Sequence, residues 1–190
     1  MIAAADLNNK QQRLTHAYKA YGISVCSTLS QKLSDRLNDL GFTARVEDAL
    51  WVEIDGLPQL PFKNIHSDAD AVLVVTPTAI GFVATGLLGG YNNDYLPTIS
   101  SVVSLLGTDR ETPVYRGFHV TGQSLKNAGW QYTPPVTTFA DFDALYANPK
   151  VSFTSLLDAA DAIASSVVKD LGQQGMANLA QTQAGSPSDR

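Results

Sequence analysis

The stretch from Ala69 to Thr121 constrains the fold more than any other part of the chain. It opens with Ala71-Val72-Leu73-Val74-Val75, in which Val72 to Val75 are four apolar residues, three of them β-branched. Such a run fits a strand covered on both faces, and it is read here as the central strand. Pro77 cannot donate to a ladder, so the strand must bend, bulge or lie at an edge there, with Ile80 to Ala84 resuming it. A Gly- and Tyr-rich loop follows, Gly86 to Tyr95. Two β-rich runs, Ile99 to Leu106 and Val114 to Val120, flank Gly107 to Pro113 and predict a hairpin with a longish loop. Pairing Leu106 with Pro113 puts Ile99, Val103, Leu105, Val114, Phe118 and Val120 on one face and Ser100, Ser104, Tyr115 and His119 on the other. One register slip reverses that division.

Two helices bracket the sheet. Leu29, Leu33, Leu37 and Leu40 recur at helical spacing and predict a helix over Ser24–Leu40. Gly41 stands where a left-handed terminator is wanted, and Phe42 where a contact back onto the last turn is common. Leu156, Ala160, Ile163, Ala164, Val167, Val168 and Leu171 form the stripe of a second helix, Thr154–Leu171, with Ser155 and Asp158 resembling a capping box. Phe139, Phe142 and Leu145 suggest a short amphipathic turn before it. Ala20 to Val25 alternates weakly, as a first strand would, and the alternative for His16 to Val25 is a helical lead-in. Thr43 to Val46 reads as a short strand, and Asp55-Gly56 as a turn closing the apolar run Ala49 to Ile54. Pro58 and Pro61 predict an irregular segment, as do Gly122 to Ala140.

These elements predict one α/β (α+β) domain over residues 15–172. Its single mixed, mainly antiparallel sheet has four or five strands, with the two main helices on one face. Residues 1–14 are expected to be flexible. Residues 173–190, rich in Gln, Gly, Ala and Ser, are expected to be a disordered tail.

The chain has 190 residues, 44% hydrophobic and 16% charged, with a net charge of -5. That charge argues against a nucleic-acid binder, which carries a basic surface. No apolar run approaches the roughly 18 residues that span a bilayer. Cys26 is the only cysteine, so no intrachain disulfide exists, and it is expected to be a buried or half-buried core thiol, with a reactive nucleophile as the alternative.

No catalytic motif stands out. Gly89-Gly90 leads to Tyr91-Asn92-Asn93, where a P-loop needs Lys and Ser or Thr opening a helix. The glycines do not sit at a strand-to-helix junction, as a dinucleotide fingerprint requires. His16, His66 and His119 lack the spacing of a metal site, and no Gly-x-Ser-x-Gly elbow exists. No catalytic residue, metal ligand or cofactor is therefore assigned. Tyr91, Tyr95, Trp130 and Tyr132 are the candidate binding residues, because all lie in segments predicted to be irregular and beside the sheet. The alternative for them is core packing under long loops.

Asp70-Ala71-Val72-Leu73, Gly81-Phe82, Tyr95-Leu96-Pro97 leading into the hairpin, Gly129-Trp130-Gln131-Tyr132 and the helix Leu156 to Leu171 together resemble a family of uncharacterised bacterial envelope lipoproteins. These are similar in fold to the small α/β domain of the curli-secretion lipoprotein and the amino-terminal domain of TolB. The likeness covers roughly Leu29 to Leu171. It implies a non-enzymatic binding or assembly module of the cell envelope, periplasmic and anchored to the outer membrane. The implied partner is an envelope protein or a second copy of the chain. The implied signal segment and lipidated cysteine would lie upstream of the given sequence. The rival expectation is a small hydrolase or transferase whose site assembles only in the fold.

Overall fold

Four strands, in the order β3-β4-β5-β6, make the main sheet: β3 (Val72–Ala84), β4 (Tyr95–Leu106), β5 (Pro113–Thr121) and β6 (Trp130–Thr133). The first three pair antiparallel and β6 runs parallel to β5, so the sheet is mixed, open and mainly antiparallel, as expected. The computed structural model describes residues 2–47, 52–54, 57–62, 65–85, 94–122 and 129–175. Helices α1 (Ile2–Lys19), α2 (Val25–Asp39), α3 (Phe142–Ala147) and α4 (Pro149–Asp170) complete the α+β architecture, with a small separate hairpin, β1 (Val52–Ile54) and β2 (Leu57–Gln59).

The expected β4–β5 hairpin is present, and Leu106 does pair with Pro113. A bulge then inserts one residue, so Tyr115 rather than Val114 faces Leu105, and every later pair is shifted by one. Tyr115 and His119 therefore share a face with Ile99, Val103 and Leu105, the helix-covered face. Phe118 and Val120 lie on the other, opposite Val102 and Ser100. The division of faces read from the sequence is thus reversed for β5.

β3 is an edge strand, not the central one; β4 and β5 are central. Its ladder shifts between Pro77 and Ala79, the irregularity that Pro77 demanded. The Thr78 hydroxyl reaches the Ser100 carbonyl at 3.2 Å and the Ser100 hydroxyl at 2.8 Å, which pins the bulge. Because one residue is inserted, Ile80 and Phe82 point to the helix side beyond the bulge, opposite Ile99 and Pro97.

The main core lies between sheet and helices. Leu29 and Leu33 of α2 and Ala160, Ile163, Ala164 and Val167 of α4 pack on Ile99, Val103, Leu105 and Tyr115. α2 begins at an N-cap, where the Ser24 hydroxyl accepts the Ser27 N–H at 3.4 Å. It ends as the Gly41 reading requires. Gly41 has φ +90°, its N–H donates to Asn38 O at 2.9 Å, and the Phe42 N–H donates to Leu37 O at 3.1 Å. Leu40, expected in the stripe, is the C-cap residue just past the end of α2 and is exposed.

α4 starts about a turn earlier than predicted. Asn148 caps it by accepting the Val151 N–H at 3.4 Å, and Pro149 takes the first helical position. Ser155, the supposed cap, lies inside the helix and donates to Ser152 O at 2.7 Å. Pro149–Gln173 is long and apolar enough to cross a membrane, yet half of its most apolar window is buried, as in a core helix.

Other local expectations are corrected. Residues 2–19 form α1 in place of a loose segment, and Ala20 to Ser24 is a link between helices rather than a strand. Thr43 to Val46 has no regular structure. Pro58 sits within β2, opposite Glu53, because a two-stranded ribbon has edges that need no donor. Trp130 to Thr133 is β6, not irregular link. Cys26 is exposed: Val25, beside it, is the first-turn residue that packs on the core. Asp55-Gly56, Tyr91 and the tail beyond Gly175 lie outside the described residues.

Candidate functional site

At the end of the sheet away from the β4–β5 turn, a second apolar cluster forms. Phe139, Phe142 and Leu145 are buried there, with Leu14, Phe82 and Tyr95 packed against them. Phe139 is held by a two-way bridge, its N–H donating to Tyr95 O at 3.0 Å and its carbonyl accepting from Tyr95 N. Phe82 meets Phe139 edge-on at 5.6 Å, and Tyr95 meets Phe142 edge-on at 6.5 Å. The β3 bulge is what turns Phe82 into this cluster.

Beside the cluster opens a cavity of about 530 Å³. Its walls come from α1, the α1–α2 link, the start of α2, β3, β4, α3 and α4; Ile80, Phe82, Tyr95, Phe142, Phe153 and Leu156 supply much of the apolar surface. That volume lies within the roughly 300–1,000 Å³ of small-molecule sites. α1 forms one side. Its Tyr18 hydroxyl donates to Ser152 Oγ at 2.9 Å, and Tyr18 and Tyr21 both pack on the Phe153 ring, Tyr21 stacked at 5.0 Å. Burial is the main cause that raises the Tyr18 phenol above its ordinary value, against the opposing pull of the Ser152 hydrogen bond. The phenol is therefore a neutral polar tip in an apolar wall. Lys19 lines the mouth and is exposed.

The candidate binding rings are divided by this geometry. Tyr95 lines the cavity. Trp130 and Tyr132 are on β6, paired with Phe118 and Val120, so they lie on the opposite face of the sheet. Trp130 packs on Phe118 with ring centroids 4.4 Å apart, and Tyr132 is half exposed.

A second polar assembly is buried between β5 and α4. The Tyr115 hydroxyl donates to Asp170 Oδ2 and lies 3.0 Å from His119 Nε2, while His119 Nδ1 lies 3.0 Å from Ser166 Oγ. A carboxylate only accepts, so a neutral His119 carrying its proton on Nε2 satisfies every pair. Ser166 then donates to Nδ1, Nε2–H donates to Tyr115, and Tyr115 donates to Asp170. Burial lowers the His119 pKa below its ordinary value, opposed by the Asp170 carboxylate; burial first, then that carboxylate, raises Tyr115. A serine on a neutral imidazole resembles a nucleophile and its base. Here, however, Asp170 is hydrogen-bonded to Tyr115 and its Oδ2 stays 3.8 Å from the imidazole Nε2, His119 is wholly inaccessible, and none of the four residues lines the cavity. The alternation of Tyr115, Gly117 and His119 along one strand face was the available sequence signal. Gly117 leaves the space into which the Tyr115 hydroxyl reaches.

Among the described residues no group of three or more His, Cys, Asp or Glu side chains could hold a metal ion. No protein-family model, curated protein or solved structure matches this chain.

Proposed function

We propose that this protein is a non-enzymatic binding module of the bacterial cell envelope that takes an apolar ligand in the cavity between α1, the β3–β4 ribbon and α3. The observation that carries this reading is the cavity itself: about 530 Å³, walled by aromatic and aliphatic side chains from seven segments. Its one group with a perturbed pKa, Tyr18, is held neutral. Chemistry needs poised acids and bases in the cleft, whereas this lining offers area and shape. The envelope setting rests on the family resemblance described above. In that setting the ligand is held by the chain itself or presented on an envelope partner.

The test is a thermal-shift titration with 1-dodecanol and other neutral apolar probes. A ligand at 100 times its Kd stabilises the folded state by about 2.7 kcal/mol, which moves the melting temperature measurably. Ile80→Trp, which fills the cavity from its rim, is expected to abolish the shift. Absence of any shift across the panel counts against the reading. Fractionation of cells expressing the native gene tests the setting, and recovery in the cytosol alone refutes it.

The Ser166–His119 pair favours one rival, a hydrolase or transferase acting through Ser166. A fluorophosphonate probe decides it: labelling of native protein that is lost in Ser166→Ala supports the enzyme. We expect no labelling, because the imidazole beneath Ser166 is sealed from solvent.

A further inference from the structure

We infer that the cavity ligand is a single-chain anionic amphiphile, a carboxylate or phosphate head on a hydrocarbon tail, with the head held at Lys19; this rests on the apolar-ligand reading above. The chain is acidic overall, with net charge -5, yet the charged side chain that lines this cavity is a cation, Lys19. Lys19 lines the cavity, and Arg13, two turns earlier on the same helix, holds its guanidinium 4.1 Å from the Tyr146 ring centroid and 5.7 Å from that of Phe142. Among the described residues neither cation is ion-paired with a carboxylate, whereas Lys32, Arg36 and Arg45 all are. The nearby Asp141 is engaged as the α3 N-cap, accepting the Ala144 N–H at 2.7 Å. Of the two rings under Arg13, Phe142 lines the cavity and Tyr146 stacks beside it, so Arg13 adds positive charge next to the site. Below this rim the wall is apolar, from Phe82 to Phe142, Phe153 and Leu156. An uncharged hydrocarbon would use the wall but not the rim. A small anion would use the rim but not the wall. A cationic amphiphile would set like charges together. The anionic amphiphile alone satisfies both parts.

Isothermal titration of the full chain with dodecanoate, 1-dodecanol and dodecylammonium, each below its micellar concentration, tests this. Dodecanoate is expected to bind tightest and dodecylammonium weakest. Lys19→Glu is expected to weaken dodecanoate by roughly fivefold, the scale of one exposed ion pair, and to leave dodecanol unchanged. Lys19 is exposed, so its replacement should leave the melting temperature of the unliganded protein near that of the wild type. If Lys19→Glu nevertheless unfolds, Lys19→Gln with Arg13→Gln carries the same comparison. Equal affinity for the three probes, or indifference of dodecanoate to both variants, overturns the anionic head while the apolar-ligand reading stands. Failure of all three to bind overturns that reading too. Binding to phosphatidylglycerol vesicles without binding of monomeric dodecanoate also overturns the inference, because the occupant is then a lipid surface.

Discussion

Gly117→Ala is a small change with a large expected cost. Gly117 faces Val103 on the helix side of β5, between Tyr115 and His119. Its φ is negative, so an alanine is not strained there, and by strand propensity alone it should gain about 0.5–1 kcal/mol. The added methyl would, however, overlap the Tyr115 hydroxyl and stand 2.8 Å from Tyr115 Cζ and 3.0 Å from His119 Nε2. Tyr115 is buried and cannot swing out freely. Moving its hydroxyl breaks a hydrogen bond to a carboxylate, about 1.5–3 kcal/mol. Displacing the ring in a packed core adds about 1–3 kcal/mol. Net of the propensity gain, the loss is about 2–5 kcal/mol. Urea denaturation followed by circular dichroism reads it as a lower midpoint at unchanged slope. In a Tyr115→Phe background, which lacks the colliding oxygen, the same substitution should cost clearly less. A loss below about 1 kcal/mol for Gly117→Ala, or equal losses in both backgrounds, would refute the reasoning.

Acid should destabilise the fold through His119. Burial lowers its folded-state pKa, so below its ordinary value of about 6.5 the unfolded chain binds more protons than the native one. Stability is then full above about pH 6.5 and falls as pH drops towards the lowered value. Urea midpoints at pH 7.5 and 5.5 should converge in His119→Gln relative to wild type. Gly122→Ala should lose about 3 kcal/mol or more, because φ +81° is strained for alanine and its Cβ would press on the Pro97 carbonyl and the Thr98 hydroxyl. Gly41→Ala, with φ +90° but nothing within 4 Å of the added Cβ, should lose only about 1–2 kcal/mol, and paired urea curves compare the two. Exposed Cys26 should react with Ellman's reagent in the native protein as fast as in urea, and slow native labelling would place it in a buried site.

The regular parts of this fold were legible because each rests on local chemistry. The leucines of α2, the Gly41 terminator and the α4 stripe announce themselves at helical spacing. The Leu106–Pro113 pair follows from the hairpin pattern. What escaped depends on single-residue insertions. The bulge after Leu106 moves Tyr115 and His119 into the core; the one at Thr78 was signalled by Pro77, but not its consequence, which is to turn Phe82 towards Phe139. Neither the β5 insertion nor the change of face in β3 shows in a hydrophobicity pattern, since the alternation survives on either side. β6 escaped because four residues beside Gly129 do not alternate visibly. The cavity escaped because its walls meet only in three dimensions: Tyr18 reaches Ser152 across 134 positions of sequence. Of the candidate rings, Tyr95, Trp130 and Tyr132 were expected in irregular segments beside the sheet but lie within β4 and β6, and the pattern did not show which face each would take.

β3 and β4 continue past the end of β5, from the Ile80–Ile99 pair to the Ala84–Tyr95 pair. Where β5 leaves, the Ile99 N–H is taken by the Thr121 hydroxyl at 2.9 Å, so the departure is closed off cleanly. The protruding ribbon rests on its own cluster around Phe139 and Phe142, separate from the core under α2 and α4. Two clusters joined by a two-stranded ribbon have unequal resistance to opening. Backbone amides of Gly81 to Ala84 should therefore exchange with deuterium through a local fluctuation, well before those of Ile163 to Val167, which wait for global unfolding. A tail-bearing molecule entering the cavity would slow the first set and leave the second unchanged. Uniform protection along β4 and α4 would mean that the two clusters melt as one.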